Sequence, residues 1–127
     1  MARILILEDD KLLLKVYENV LTANHYEVTV AEDGETGLNK ILEGGWHLIL
    51  LDLKLPKKSG VEILENLQKN KPVKKNGPIV IISNVNEEKT IKKTMKLGAV
   101  GYILKDTVDL ATITAEVKNY LQQAPLY

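Results

Sequence analysis

The 127-residue chain contains no cysteine and no phenylalanine, and it has a single tryptophan. Without cysteine it can form no disulfide, thiolate nucleophile or cysteine-ligated metal site. It also lacks any apolar run close to the roughly 20 residues that a membrane-spanning helix needs. Only four apolar residues separate Arg3 from the acidic Glu8, so no secretory signal is predicted there. These absences favour a cytoplasmic protein that does not interact with a membrane.

Neither sign of charge is in excess, because 17 basic residues match 17 acidic ones. A surface that binds nucleic acid directly would need a marked basic excess, so we expect none. The glycine-rich motifs G-x-x-x-x-G-K-[ST] and G-x-G-x-x-G are absent too, which disfavours a nucleotide- or flavin-binding module. The length and the 45% hydrophobic content suit one domain with one core.

Apolar runs of strand length alternate along the chain with segments whose apolar residues recur at helical spacing. Most of the runs are unbroken rather than alternating, which is typical of parallel strands covered by helices on both faces. The order of strand and helix, repeated five times, predicts an α/β fold with a doubly wound sheet. The predicted strands cover residues 4–7, 26–30, 48–51, 79–82 and 100–104.

The five predicted helices each carry one apolar face. Asp10 is interpreted as the N-cap of the first helix and Asn86 as that of the fourth, with Gly98 just past the end of the fourth. Residues 68–77 form a loop rich in lysine and asparagine. The predicted faces, in chain order, are Leu13, Val16, Tyr17, Val20 and Leu21; Leu38, Ile41 and Leu42; Val61, Leu64 and Leu67; Ile91, Thr94 and Met95; and Leu110, Ile113, Val117, Tyr120 and Leu121.

Four of the strands end in polar or charged residues, namely Glu8 with Asp9, Asp52, Ser83 and Lys105. Parallel strands all point the same way, so these side chains should gather at the carboxyl edge of the sheet, where such folds bind ligands. Taken singly, each residue fits a turn, a helix cap or a solvated charge. Together they predict an oxygen-only site for Mg²⁺, where Asp serves as a nucleophile for a phosphoryl group.

The chain resembles the receiver domain of two-component response regulators over nearly its whole length. The matching blocks are ILILEDD, LILLDLKLPKKSG, PIVIISN and GAVGYILKD, in that order. The intervals also fit, with 43 residues from Asp9 to Asp52, 31 to Ser83 and 22 to Lys105. The resemblance implies a flavodoxin-like (βα)5 sandwich with strand order 2-1-3-4-5. It also implies a single receiver domain at residues 1–123 and a tail at 124–127.

The resemblance assigns a role to each candidate residue. Asp52 matches the phosphoacceptor, while Ser83 and Lys105 match the residues that hold the phosphoryl group. Ser83 and Tyr102 also match the two switch residues of the family. The ligands of Mg²⁺ would be Glu8, Asp9, Asp52 and the backbone carbonyl of Lys54.

The family relationship also implies partners. The phosphoryl group would come from a histidine kinase or a histidine phosphotransfer protein. Phosphorylation would change the surface formed by the fourth helix, fifth strand and fifth helix, and this surface would bind a downstream protein. A homodimer is a further possible assembly. The chain would be no enzyme beyond catalysing its own phosphorylation and dephosphorylation.

Departures from the family pattern leave alternatives open. Asp106 stands where many relatives have proline, so the isomer of the preceding peptide bond is undecided. Asn84 replaces a small residue and is expected to hinder Tyr102 from turning inward. One alternative is a protein-binding receiver that is no longer phosphorylated. The other is a Mg²⁺-dependent aspartyl-phosphate phosphohydrolase, although Lys54 stands where that chemistry needs a second Asp.

Overall fold

A computed structural model describes residues 1–123 of the chain. The predicted tail at residues 124–127 lies outside the described residues. Five strands and five helices alternate, which confirms the α/β prediction. The strands are β1 (Arg3–Leu7), β2 (Glu27–Ala31), β3 (Leu48–Leu51), β4 (Ile79–Ser83) and β5 (Gly101–Leu104); the helices are α1 (Lys11–Ala23), α2 (Gly34–Glu43), α3 (Gly60–Lys69), α4 (Glu88–Lys96) and α5 (Leu110–Gln123).

All five strands are parallel and lie in the order β2-β1-β3-β4-β5, as the family resemblance implies. β1 and β3 are therefore neighbours in the middle of the sheet, and Leu7 is in register with Leu51. The residues that follow these two strands, Glu8 and Asp52, consequently emerge side by side. Strand order reverses at this point, which is where open parallel sheets form ligand-binding crevices.

The core lies in two layers, one on each face of the sheet. Alternate residues of each strand point to opposite faces. Leu5 and Leu7 of β1 pack with α2 and α3, whereas Ile4 and Ile6 pack with α1 and α5. All four are fully buried, and each such side chain contributes roughly 1.5–3 kcal/mol by leaving water. Burial on both faces explains why the strands read as unbroken apolar runs.

The helix ends that were predicted match the structure except at the start of α4. Asp10 caps α1, because its Oδ1 accepts hydrogen bonds from the backbone N–H groups of Leu12 and Leu13. Gly98 follows the end of α4 with φ of +113°, a conformation that favours glycine. The prediction of Asn86 as the α4 cap is wrong. The chain stays extended through Glu87, which is the N-cap residue and makes no side-chain capping bond.

Some predicted faces also need correction. Met95 and Leu110 are 42% and 41% exposed, while the unpredicted Leu14 is buried. Val100 lies outside β5 and is 50% exposed. The three helix residues illustrate that tertiary packing decides which of several neighbouring apolar residues is buried, whereas Val100 precedes the first paired residue of β5. Within residues 1–123, no helix has the length and apolar character needed to cross a membrane.

Candidate functional site

The residues that end four strands meet in one cleft of about 300 Å³ at the carboxyl edge of the sheet. Glu8 follows β1, Asp52 follows β3, Ser83 ends β4 and Lys105 follows β5. The structure thus brings together the strand-end residues that the sequence predicted to gather. The cleft is lined by Glu8, Asp9, Asp10, Asp52, Lys54, Ser83, Asn84 and Lys105.

Lys105 connects the two central acidic residues of the cleft. Its Nζ lies 2.7 Å from Oδ2 of Asp52 and 2.5 Å from Oε1 of Glu8. The side chain is only 12% exposed. Burial by itself would lower the pKa of Lys105, but the carboxylates of Asp52 and Glu8 outweigh burial and raise it above the usual value. The ammonium therefore stays charged in neutral solution.

The backbone around Lys105 bears on the open question of the Lys105–Asp106 peptide bond. That bond is trans, since residues 1–123 contain no cis peptide. Lys105 begins a single 3₁₀ turn that ends at Thr107. The hydroxyl of Thr107 donates a hydrogen bond to the carbonyl of Leu104 and closes this turn. The chain therefore presents Lys105 to the cleft with Asp106, and not a proline, as the next residue.

Asp52 is held rigidly at the end of β3. Its backbone N–H donates to the carbonyl of Leu7, 3.1 Å away, and continues the pairing of β1 with β3. Its Oδ1 accepts a 2.7 Å hydrogen bond from the N–H of Leu53, which leaves Oδ2 facing Lys105. The residue is only 4% exposed. Both carboxylate oxygens of this buried residue thus have a partner.

Glu8 is 1% exposed and less fully partnered. Its Oε2 accepts a hydrogen bond from the N–H of Asp10, whereas Oε1 faces Lys105 without an aligned hydrogen bond. Burial raises the pKa of Glu8, although the Lys105 ammonium counteracts part of that rise. Removing a carboxylate from water disfavours its charged form. A cation in the cleft would therefore relieve an energetic cost already present in the fold.

The donor set of the cleft fits a hard divalent cation. Glu8, Asp9 and Asp52 each offer a carboxylate oxygen, and these atoms lie within 4.8 Å of one another. Three carboxylates facing one ammonium leave excess negative charge. Oxygen-only ligands suit Mg²⁺, and Oε1 of Glu8 contacts the Lys105 ammonium but makes no aligned hydrogen bond. Lys54 lines the same cleft, and the assignment of its carbonyl as a ligand stays a prediction.

Ser83 and Tyr102 both contact the loop between β4 and α4. Ser83 is 1% exposed, and its Oγ accepts a hydrogen bond from the N–H of Val85. The hydroxyl of Tyr102 donates to the carbonyl of Val85 across 2.6 Å, and burial raises the pKa of Tyr102. Asn84 is exposed, and its expected effect on the inward turn of Tyr102 stays a prediction. One residue, Val85, thus connects the two predicted switch residues.

Sequence reasoning did not identify the glycines that shape the loop after β3. A side chain at Gly60 would run into the backbone carbonyl of Asp52, and one at Gly34 would overlap the carbonyl of Lys58. The N–H of Gly34 also donates to the carbonyl of Pro56. Each glycine is the first residue of a helix and directly follows the N-cap residue. This position is the only sequence feature that points to either glycine.

Tyr17 of α1 was predicted only as a core residue. It is 2% exposed and packs in the layer beneath α1 and α5. Burial, helped by the negative charges of Glu8 and Asp52, raises the pKa of Tyr17 to about 12, although the nearby ammonium of Lys105 acts in the opposite direction. The phenol therefore stays protonated close to the acidic cluster. Because Tyr17 lies on the apolar face of α1, its sequence position indicated only a core residue and not its closeness to the acidic cluster.

Comparison with protein families finds one match. The family described as the response regulator receiver domain matches residues 4–118. The response regulator ArlR of Staphylococcus saprophyticus is 34% identical over 125 residues, which cover 98% of this chain and 54% of that protein. ArlR of Staphylococcus aureus is 33% identical, with coverages of 98% and 55%. The chain spans about half the length of these curated relatives.

Solved structures show the same fold. A CheY-like receiver domain from Methanospirillum hungatei superposes with a TM-score of 0.85 at 29% identity, covering 97% of this chain and 95% of that one. The BeF3-activated N-terminal receiver domain of RstA from Klebsiella pneumoniae gives a TM-score of 0.82 at 27% identity, with coverages of 94% and 98%.

Proposed function

Because the chain belongs to the response regulator receiver family, we propose that Asp52 accepts a phosphoryl group from a phosphohistidine. The donor would be a histidine kinase or a histidine phosphotransfer protein. One observation carries the proposal: the ammonium of Lys105 lies within 2.7 Å of Asp52 and also contacts Glu8, although the three residues follow three different strands. This arrangement places a nucleophilic carboxylate beside a fixed positive charge in a half-open cleft.

The receiver family generally binds Mg²⁺, and the donor set of the cleft fits it. Its ligands would be Glu8, Asp9, Asp52 and the backbone carbonyl of Lys54. When bound, Mg²⁺ supplies positive charge beside the oxygens of the transferring group. Asp9 is the exposed member of the acidic set, so it is the one that a cation meets first from solvent.

Transfer joins an oxygen of Asp52 to phosphorus as the bond between phosphorus and the donor histidine nitrogen breaks. The nitrogen leaves with the electron pair. Lys105 donates to an oxygen of the moving phosphoryl group, and the hydroxyl of Ser83 donates to another. Asp52 needs no large movement, because the N–H of Leu53 and the β1 backbone already fix its orientation. The protein contributes positioning and charge rather than a further reactant.

Phosphorylation would be transmitted through Val85. The Ser83 Oγ accepts a hydrogen bond from the Val85 N–H, so a Ser83 hydroxyl that moves to donate to a phosphoryl oxygen draws on the Val85 backbone, whose carbonyl accepts from Tyr102. A shift of this loop moves the start of α4, whose one fully buried side chain is Thr94. We infer that the surface of α4, β5 and α5 changes and binds a downstream protein or a second copy of the chain in the cytoplasm.

A direct test uses acetyl phosphate as the donor. The wild-type protein should gain one phosphoryl group in the presence of Mg²⁺ and none in EDTA, measured by intact mass. The product should be stable in acid and labile in base, as an acyl phosphate is. Asp52→Asn should gain nothing, whereas Asp106→Asn, which removes an exposed carboxylate beside the site, should react like the wild type. Equal labelling of Asp52→Asn would contradict the assignment.

We also propose that the chain has no turnover beyond its own phosphorylation and dephosphorylation. Release of phosphate from a simple phosphomonoester should stay at the level of the buffer, because no second acid group follows Asp52 at position 54. Steady hydrolysis of the ester would instead favour the phosphohydrolase alternative. Failure of the wild type to take up any phosphoryl group would favour a protein-binding receiver without phosphorylation.

A further inference from the structure

A second concave site lies at the opposite, amino edge of the sheet from the phosphorylation cleft. It has a volume of about 260 Å³ and is enclosed by α2, α3, the loop after α3, the start of β4 and the end of α4. Its floor is aliphatic. Ile41 and Leu64 are fully buried, and Leu67, Ile79 and Leu97 are partly exposed to the space above them. The cavity therefore offers an apolar bed with solvent access.

The loop that forms one wall, residues 70–78, is fixed rather than loose. The N–H of Val73 donates to the carbonyl of Leu42, and the N–H of Gly77 donates to that of Trp46. The side chain of Asn76 both donates to the carbonyl of Ile41 and accepts from the N–H of Trp46. Binding in this cavity would therefore cost little ordering of the loop, as in preformed ligand sites.

The rim of the cavity is cationic. Lys71 and Lys75 are exposed and form no salt bridge within residues 1–123, and no carboxylate lines the cavity. On the α4 side, the amide of Gln68 donates to the carbonyl of Leu97 and ties α3 to the end of α4. An apolar floor under two unpaired ammonium groups is complementary to a molecule with an apolar body and one negative end.

We propose that this cavity binds a small amphipathic carboxylate. Its apolar body would lie on Leu64, Leu67 and Ile79, and its carboxylate would face Lys71 and Lys75. The volume falls just below the usual range for drug-sized ligands, which suits an arylalkanoate or a branched alkanoate. A nucleotide would be too large and would find no cluster of backbone N–H groups for its phosphates. The cavity shares no lining residue with the cleft around Asp52.

The probe is 4-phenylbutanoate, titrated into ¹⁵N-labelled protein without Mg²⁺ or phosphodonor. Amide resonances of Leu67, Gln68, Leu97 and Gly98 should shift together and saturate, while those of Glu8 and Asp52 stay in place. The neutral analogue 4-phenylbutan-1-ol should bind at least about threefold more weakly, as expected for loss of partly exposed charge pairs. Shifts that never saturate, or equal binding of the alcohol, would overturn the proposal.

Two double variants separate the site from general surface charge. Lys71→Gln with Lys75→Gln should remove the preference for the carboxylate and leave binding of the alcohol unchanged. Lys69→Gln with Lys74→Gln removes the same charge from nearby exposed residues that do not line the cavity, and it should keep the preference. The same loss of preference in both double variants would attribute it to net charge and refute the site.

Discussion

At the scale of single residues, Lys105 compensates the charges of two buried carboxylates at once, those of Glu8 and Asp52. Lys105→Gln should lower the free energy of unfolding by about 2–4 kcal/mol without Mg²⁺, since breaking a buried ion pair leaves uncompensated charge. The loss should shrink when Mg²⁺ is added, because a cation then restores the compensation. Urea unfolding with and without Mg²⁺ measures both effects.

A suitable control is Lys54→Gln, which removes a lysine from the same cleft that makes no salt bridge within the described residues. Its stability should match that of the wild type. If Lys105→Gln and the wild type had the same midpoint of urea unfolding in EDTA, the ion pairs of Lys105 would make no contribution to the stability of the fold.

The candidate site residues could be predicted from the sequence because each follows a strand, and parallel strands end at one edge. The contact between Lys105 and Glu8 could not be predicted in this way. It depends on how far two side chains reach across the ends of β3 and β4, which no spacing along the chain encodes. The proximity of Tyr17 to the same cluster was hidden for a similar reason, because its place on α1 fits an ordinary core residue.

At the scale of elements, the N-terminus of α2 supports the loop after β3 through Gly34. Gly34→Ala should force the Lys58 carbonyl away, because the added methyl group overlaps backbone. Gly37→Ala, one turn later, overlaps only the side chain of Leu7. Both variants should lose about 1–3 kcal/mol of stability, as overpacked cores do.

Only Gly34→Ala should also slow phosphorylation of Asp52 by acetyl phosphate, since the displaced loop includes Lys54. Rates measured well below both unfolding temperatures separate this effect from stability. Equal rates for the two variants would mean that the loop tolerates the displacement.

Strand positions could be predicted closely for the central strands, where both faces are buried and the apolar run is continuous. The edge strand β2 was placed one residue early, because Val28 and Val30 are only half-buried and give a weaker signal. The start of α4 could not be predicted from Asn86, since a capping residue type signals a helix start only where the backbone turns there. The backbone turns after Glu87 instead.

At the scale of the whole molecule, the two edges of the sheet differ in chemistry while the net charge is zero. Carboxylates gather at the carboxyl edge, whereas Lys71 and Lys75, which precede β4, and Trp46, which precedes β3, lie at the amino edge. Trp46 precedes β3 and Asp52 follows it, so roughly 20 Å of extended chain separates them. The indole N–H donates to the carbonyl of Lys40, and Arg3 lies 4.2 Å over the ring. The fluorescence emission of this single tryptophan is therefore expected to report on unfolding and not on binding in the cleft.

Mg²⁺ should consequently raise the midpoint of urea unfolding without changing the emission of Trp46 in the folded protein. A ligand that binds only the folded state stabilises it by about 2.7 kcal/mol at a hundred times its Kd. Asp9→Asn should lose most of this gain, because it removes the exposed member of the acidic set. Glu32→Gln, an exposed carboxylate outside the cleft, should keep it. A change of native emission on adding Mg²⁺, or an undiminished gain in Asp9→Asn, would place the cation elsewhere.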